Sequence, residues 1–232
     1  MVNVVDESQE EYIDEYDDFS DFGEFSNNKE NDNIKDPLEK YNRKIYVFND
    51  TFDKYFFKHV AKTYRIIIPK KARNSIRNFL QNIFKPVSIA NSVAQGKFEN
   101  ALATFSSFLI NSTVGIGGIF DVSGIKGIKY NEEDFGQTLG HYDVGSGLYL
   151  MVPFLGPSTA RDLSGKLVDT TINPIGFNYL KVGGDDNLLD DEYRFGIAAL
   201  SAIDSRENLL DILDDIQKES FDPYVTIRSA YL

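Results

Sequence analysis

The chain has no cysteine, no tryptophan and only two histidines, His59 and His141. Without cysteine there are no disulfides and no thiolate metal site, and two histidines are too few for a histidine-rich one. No metal and no cofactor are expected. No phosphate-loop pattern is present: the clustered glycines of "VGIGGIFD" (114–121) lack the Lys-Ser/Thr that such a loop needs and read as a close-packed turn. Nor does any serine sit in a nucleophile-elbow context. His141 and Asp143, with Glu132, Glu133 and Asp134 nearby, suggest a general-base pair on paper. A histidine at a loop start is more simply satisfied by local hydrogen bonds, so no enzyme is expected.

Long greasy runs are also scarce. Asn100–Phe120 has twenty-one uncharged residues, enough to span a bilayer. Yet Thr104, Ser106, Ser107, Asn111, Ser112 and Thr113 are polar, and Gly115, Gly117 and Gly118 weaken its end. A core or interfacial helix fits better than a span.

What is present is unevenly distributed. Of the formal charge of −12, residues 1–36 hold −11, leaving −1 for the rest of the chain. Residues 1–35 therefore read as an acidic, disordered leader, and 36–232 as a single domain. The N-terminus shows no basic stretch followed by an apolar one, so no export signal is expected in it. Acid is missing altogether from Lys54 to Phe98, which carries ten Lys/Arg. Basic and aromatic residues interleave there. Three readings stay open: a surface lying on anionic headgroups, a nucleic-acid surface, or an ordinary solvated helix face. The low overall pI and the missing nucleic-acid motifs weigh against nucleic acid. Lys70, Lys71, Arg73, Arg77, Phe79 and Phe84 are the candidates for a membrane interface.

Helical signals dominate. Asp36 and Pro37 make a good helix start, followed by Leu38, Tyr41, Ile45, Phe48, Phe52 and Phe56 on one stripe. Pro69 opens a second helix predicted to stop before Pro86, and a short one is predicted over 88–95, ended by Gly96. Phe98, Leu102, Phe105 and Leu109 mark the next. Asp190 to about Lys218 reads as one long helix or two abutting ones, with Tyr193, Ile197, Leu200, Leu209, Leu213 and Ile216 inward. Pro223 starts the last.

Val144–Ala160 is different, with no charge over seventeen residues. Pro153 and Pro157 rule out a regular helix, and Gly140 just before the segment, Gly145 and Gly147 permit unusual backbone angles. Two accounts stand level on physics: a hairpin plugging a helical core, or a loop lining a lipid-sized cavity.

Four blocks, "DPLEKYNRKIYVFND" (36–50), "NSTVGIGGIFD" (111–121), "EDFGQTLGHYDVGSGLYLMVPFLGPSTARD" (133–162) and "DPYVTIRSAYL" (222–232), resemble the MlaA/VacJ family of outer-membrane lipoproteins, in that family's order. The resemblance implies an all-α fold, a ring-like assembly of amphipathic helices lying in the inner leaflet of a Gram-negative outer membrane. It implies removal of mislocalised phospholipid from the outer leaflet through an amphipathic channel, beside a porin trimer, with delivery to the periplasmic carrier MlaC and no catalytic chemistry. It also implies that a Gly/Pro-rich apolar loop near the central channel carries a hinge, here Gly145, Gly147, Pro153, Gly156 and Pro157. Leu148, Tyr149, Met151 and Phe154 become the candidates for lipid contact. A membrane-bound scaffold that organises porins without conducting lipid is the alternative. The family's acylated lipobox cysteine has no counterpart here, so either the anchor left with the signal or helices alone hold the membrane.

Overall fold

The computed structural model describes residues 36–173 and 191–232, so the expected leader over 1–35 lies outside it. The fold is helical with one short hairpin. Helix α1 (Glu39–Phe52) runs through a π-helical turn, Asp53–Phe57, into α2 (Lys58–Ile67). Then come α3 (Lys70–Ala94), α4 (Phe98–Thr113), α5 (Val122–Ile125) and α6 (Phe135–His141). Strands β1 (Tyr149–Val152) and β2 (Gly156–Thr159) pair antiparallel, with Tyr149 opposite Thr159. Helices α7 (Ala160–Ile172), α8 (Asp191–Asn208), α9 (Leu210–Glu219) and α10 (Pro223–Tyr231) complete the chain. Among the described residues no helix is long and apolar enough to cross a membrane.

Helix boundaries follow local chemistry. Asp134 accepts from the Gln137 amide at 2.7 Å, Thr159 from that of Asp162 at 3.1 Å, and Asp222 from those of Tyr224 and Val225. Each answers amides that a helix start leaves free. The predicted break at Pro86 does not occur: α3 is one helix of 25 residues through it. Proline removes only its own donor to the Asn82 carbonyl. Side-chain bonds to α4 from both Asn82 and Lys85 hold the helix on course across that gap.

The packing inverts the expected pattern. On α4 the stripe Phe98, Leu102, Phe105 and Leu109 faces outward, 68% and 66% exposed at its first two positions. The opposite stripe, Ala101, Thr104, Ser107 and Asn111, is buried. On α1 and the π-helical turn after it, Tyr41, Phe48, Phe52 and Phe56 are exposed while Asn42 is fully buried. Tyr193 and Leu209, predicted inward, point out, and Arg194, Asp204, Arg206 and Glu207 are the buried side chains of α8. Among the described residues eight apolar side chains are buried, against twenty polar or charged ones. Periodicity located the faces of these helices correctly, but the apolar face is on the outside.

Polar groups sealed inside must find partners, since an unpaired one costs about 1–3 kcal/mol. Helices α3 and α4 are zipped accordingly. Lys85 Nζ donates to Ser107 Oγ at 2.6 Å and lies 4.8 Å over the Tyr130 ring, while burial lowers its pKa. Ser107 meets Ser123, and Asn111 donates to Asp121, which ties α5 to α4. Asn82 reaches Ser112, and Asn100 reaches Ser92. Helices α6 and α7 cross so closely that a Cβ on Gly165 would stand 2.3 Å from the Gly136 nitrogen.

The acid-free block from Lys54 to Phe98 finds its counter-charges in the C-terminal helices. Arg65 and Arg73 pair with Glu207 at 2.7 and 3.3 Å, and Arg77 with Asp204 at 3.0 Å and Glu207 at 3.3 Å. Lys58 reaches Asp214 and Arg206 reaches Asp53. Arg73 and Arg77, candidates for a membrane interface, thus turn inward, because the buried carboxylates of α8 outcompete solvent for them. Lys70, Lys71 and Phe84 stay exposed, and Phe79 is half-buried.

Glu207→Ala takes the shared carboxylate from three arginines and leaves buried charge unbalanced. A loss of about 3–5 kcal/mol follows, on the order of 10 °C in Tm for a chain of this size. Asp211→Ala, at an exposed carboxylate that also meets Arg65, is expected to cost no more than about 1 kcal/mol. Thermal unfolding of both variants in detergent checks the contrast.

Candidate functional site

Three of the four sequence blocks converge on the hairpin. Two Asp-Pro starts, at Asp36 and Asp222, are locked to each other's helices. The Asp36 carboxylate accepts from the Leu38 amide, from Asn42 and from the Tyr224 hydroxyl, and lies 3.9 Å from Arg228 of α10. Asp222, which caps α10, receives a fork from Arg43 of α1 at 3.2 and 2.7 Å. That fork, helped by the cap amides, holds the Asp222 carboxyl below the usual carboxylate range. Between the two helices Tyr149 and Met151 of β1 pack on Tyr224, with Ile45, Tyr46, Val225, Ile227 and Tyr231 around them.

The hairpin has two strands, so among the described residues the outer edge of β1 has no third strand to pair with. Helix α1 supplies the pairing through two asparagines. Asn42 donates to the Tyr149 carbonyl at 3.1 Å and accepts from the Met151 amide at 2.9 Å. Asn49 donates to the Val152 carbonyl at 2.9 Å and accepts from the Phe154 amide at 2.8 Å. The spacing works because seven helical residues rise about 10.5 Å while three strand residues advance about 10 Å. A primary amide, with one donor and one acceptor face, imitates a strand's peptide group.

The tip is held as well. Phe154 has φ of 63°, a left-handed conformation that disfavours a side chain. Its ring is edge-on to Phe48 and Phe52 at 5.2 and 5.1 Å, which with Asn49 holds the strained residue in place.

The predicted site residues separate into groups. Tyr149 and Met151 are turned into the protein, and burial pushes the Tyr149 phenol up to about 12. Leu148 and Phe154 are outward, 47% and 63% exposed. Pro157 stands in the ladder opposite Met151, and Pro153 is exposed at the tip. The glycines differ too. Gly147 has φ of 72° and Ala160 Cβ would be 3.1 Å from an added Cβ, whereas Gly145 has open space and no positive φ. Residues 141–148 form a continuous exposed strap, tied back where the Ala160 amide meets the Leu148 carbonyl and the Arg161 amide that of Ser146. His141 lies exposed on this strap with its ring against Tyr142. Sequence reading missed Asn42 and Asn49. Their signal was two amides one heptad apart inside an aromatic helix stripe, where leucine would be ordinary.

A family model described as MlaA lipoprotein matches residues 34–232. The chain is 35% identical over 200 residues to proteins named intermembrane phospholipid transport system lipoprotein MlaA in Escherichia coli K12 and Shigella flexneri, covering 84% of this chain and 75% of theirs. An uncharacterized protein of Rickettsia bellii is 35% identical over 198 residues, 85% of this chain and 74% of its own. One similar solved structure, described as the structural basis for maintenance of bacterial outer membrane lipid asymmetry, superposes with a TM-score of 0.70 at 35% identity, over 85% of this chain and 95% of that one.

Two outcomes follow from this geometry. Asn49→Ala leaves the Val152 carbonyl and Phe154 amide unpaired, at a cost of about 1–3 kcal/mol. Hydrogen exchange is expected to quicken at Phe154 and hold at Met151, with the reverse in Asn42→Ala. The depressed Asp222 carboxylate stabilises the fold fully above about pH 4, the unfolded carboxylate value. That contribution disappears as pH falls through its lower folded value. Asp222→Asn keeps a capping side chain but removes this acid limb, and circular dichroism during acid titration detects the change.

Proposed function

The chain belongs to the MlaA lipoprotein family, and from that premise we propose that it is a phospholipid-transport component of the Gram-negative envelope. The observation that carries this reading is the inverted packing: polar side chains inside, exposed Phe, Leu, Ile and Tyr around them. An exterior of this kind suits contact with hydrocarbon, where every buried polar group has to be paired internally. With no helix among the described residues able to span, we assign the helices to one leaflet, the periplasmic side of the outer membrane.

The working unit is a ring of these helices around an amphipathic path. Phospholipid enters from the outer leaflet, headgroup against polar walls and tails against apolar ones, and passes to the periplasmic carrier MlaC beside a porin trimer. Leu148 and Phe154, outward on the strap and the hairpin tip, are the lipid contacts, with Tyr149 and Met151 behind them as support. The hinge lies in the strap, with Gly147 its constrained point, because α1 grips the hairpin through Asn42 and Asn49. We assign no catalytic step, and directionality comes from partners or from the lipid gradient.

The test has two parts. Deleting the gene is expected to raise outer-leaflet phospholipid, read with a membrane-impermeant amine-reactive label, and an unchanged level would sink the transport reading. A photoreactive residue at Leu148, in cells with radiolabelled phospholipid, is expected to capture label well above the same residue at exposed Lys40. Capture of protein alone at Leu148 would favour the scaffold instead.

A further inference from the structure

The corner between α2 and α3 carries two features that the transport path does not use. The first is a shallow groove of about 460 Å³ along α2, lined by Val60, Tyr64, Ile67, Ile68 and Ile203, with His59 at its far end. The Tyr64 hydroxyl is already engaged by Asp204 at 3.2 Å, so its ring is what remains for the groove. From His59 to Ile68 the helix rises roughly 14 Å, about half of a bilayer's ~30 Å hydrocarbon core and so the reach of one acyl layer. Ile66 and Ile67 beside it are 84% and 67% exposed.

The second feature is unbalanced charge at the groove's end. Beyond Ile68 the chain turns at Pro69, and Lys70 and Lys71 follow, both exposed. Among the described residues neither has an ion-pair partner. Helix α3 starts there with no acid in its first turn, so among the described residues nothing neutralises the lysines. The neighbouring acids are already committed: Glu207 to Arg65, Arg73 and Arg77, and Asp211 to Arg65. Arg73 also braces the corner by donating to the carbonyls of Arg65 and Ile68 at 3.0 and 2.8 Å. The lysines are therefore carried on a fixed turn, next to an apolar groove of acyl-chain length.

We propose that this corner binds one anionic phospholipid of the surrounding leaflet, its acyl chain along α2 and its phosphate at Lys70 and Lys71. Charge complementarity selects the occupant, since an uncharged protein helix would fill the groove without answering the two lysines, and a zwitterionic lipid would answer them less well. The site rests on the reading that the protein sits in a membrane, but not on its moving lipid. It holds the molecule at a fixed depth, and it stands apart from the hairpin.

The absence of tryptophan makes the test direct. Ile67→Trp, at an exposed position, puts a single indole in the groove, and Ile66→Trp reports on the same corner should the first variant misfold. The full chain is reconstituted in phosphatidylcholine vesicles containing a minor fraction of dibrominated phosphatidylglycerol or dibrominated phosphatidylcholine. The brominated anionic lipid is expected to quench at a several-fold lower mole fraction than the brominated zwitterionic one. Adding Lys70→Glu and Lys71→Glu is expected to erase that difference while leaving contact quenching. Equal quenching by both lipids with the lysines intact would reduce the corner to unselective lipid contact and overturn the proposal. No quenching by either would mean that protein covers it, and would overturn it too. Neither result bears on the deletion phenotype, which judges transport separately.

Discussion

Every other feature of this fold depends on one requirement: a chain that wears its apolar side chains outside must pair its polar groups inside. In an ordinary globule a buried asparagine or lysine is an exception surrounded by aliphatic packing. Here Asn42, Asn82, Asn91, Ser92, Thr104, Ser107 and Asn111 are the packing. Their hydrogen bonds are directional, so they fix helix register more narrowly than apolar contact does, and a misplaced helix leaves several groups unpaired at once. The hairpin obeys the same requirement. Two strands alone would expose an unpaired edge, and α1 closes it with side-chain amides at a spacing where helix and strand rises agree.

Charge is handled by the same economy of space. The arginines of α2 and α3 and the carboxylates of α8 and α9 are far apart in sequence, the arginines lying in a stretch without acid. Brought together they form a shared network at the inner face of the helices, which binds the C-terminal half to the N-terminal half. On the surface beside the apolar groove, Lys70 and Lys71 keep no ion-pair partner among the described residues. A broad basic face would hold a protein against any anionic surface. Two lysines beside an apolar groove discriminate more finely, and they leave the aromatic exterior to set depth.

Much was legible beforehand, for reasons that particular residues make plain. Asp222-Pro223 announced a helix start, because an N-cap carboxylate and a proline at the first turn act locally, while Asp36-Pro37 marked α1 two residues early, since it begins at Glu39 behind Leu38. The stripes on α1 and α4 were legible because a helix repeats every 3.6 residues whatever surrounds it. The Val144–Ala160 segment was rightly read as neither a regular helix nor a central strand, and the hairpin was one of its two accounts. Proline 86 misled, since its effect depends on whether neighbours hold the helix across the gap. Arg73 and Arg77 misled more, since a run of like charge says nothing about partners some 130 residues away.

The sequence by itself determined where most helices begin, which face of each is apolar, and that the backbone must turn between Val144 and Ala160, because these are set by bonds and contacts within a few residues. It pointed to the family too, since the four blocks keep the family's order. Only the tertiary structure decided which way each face points. A stripe such as Phe98, Leu102, Phe105 and Leu109 is identical as a pattern whether it meets a core or a lipid, and the choice lies in what packs against the opposite face. There the partners of Ser107, Asn111 and Lys85 come from three different helices. Long-range pairing of polar groups, which no local period encodes, turned an amphipathic sequence inside out.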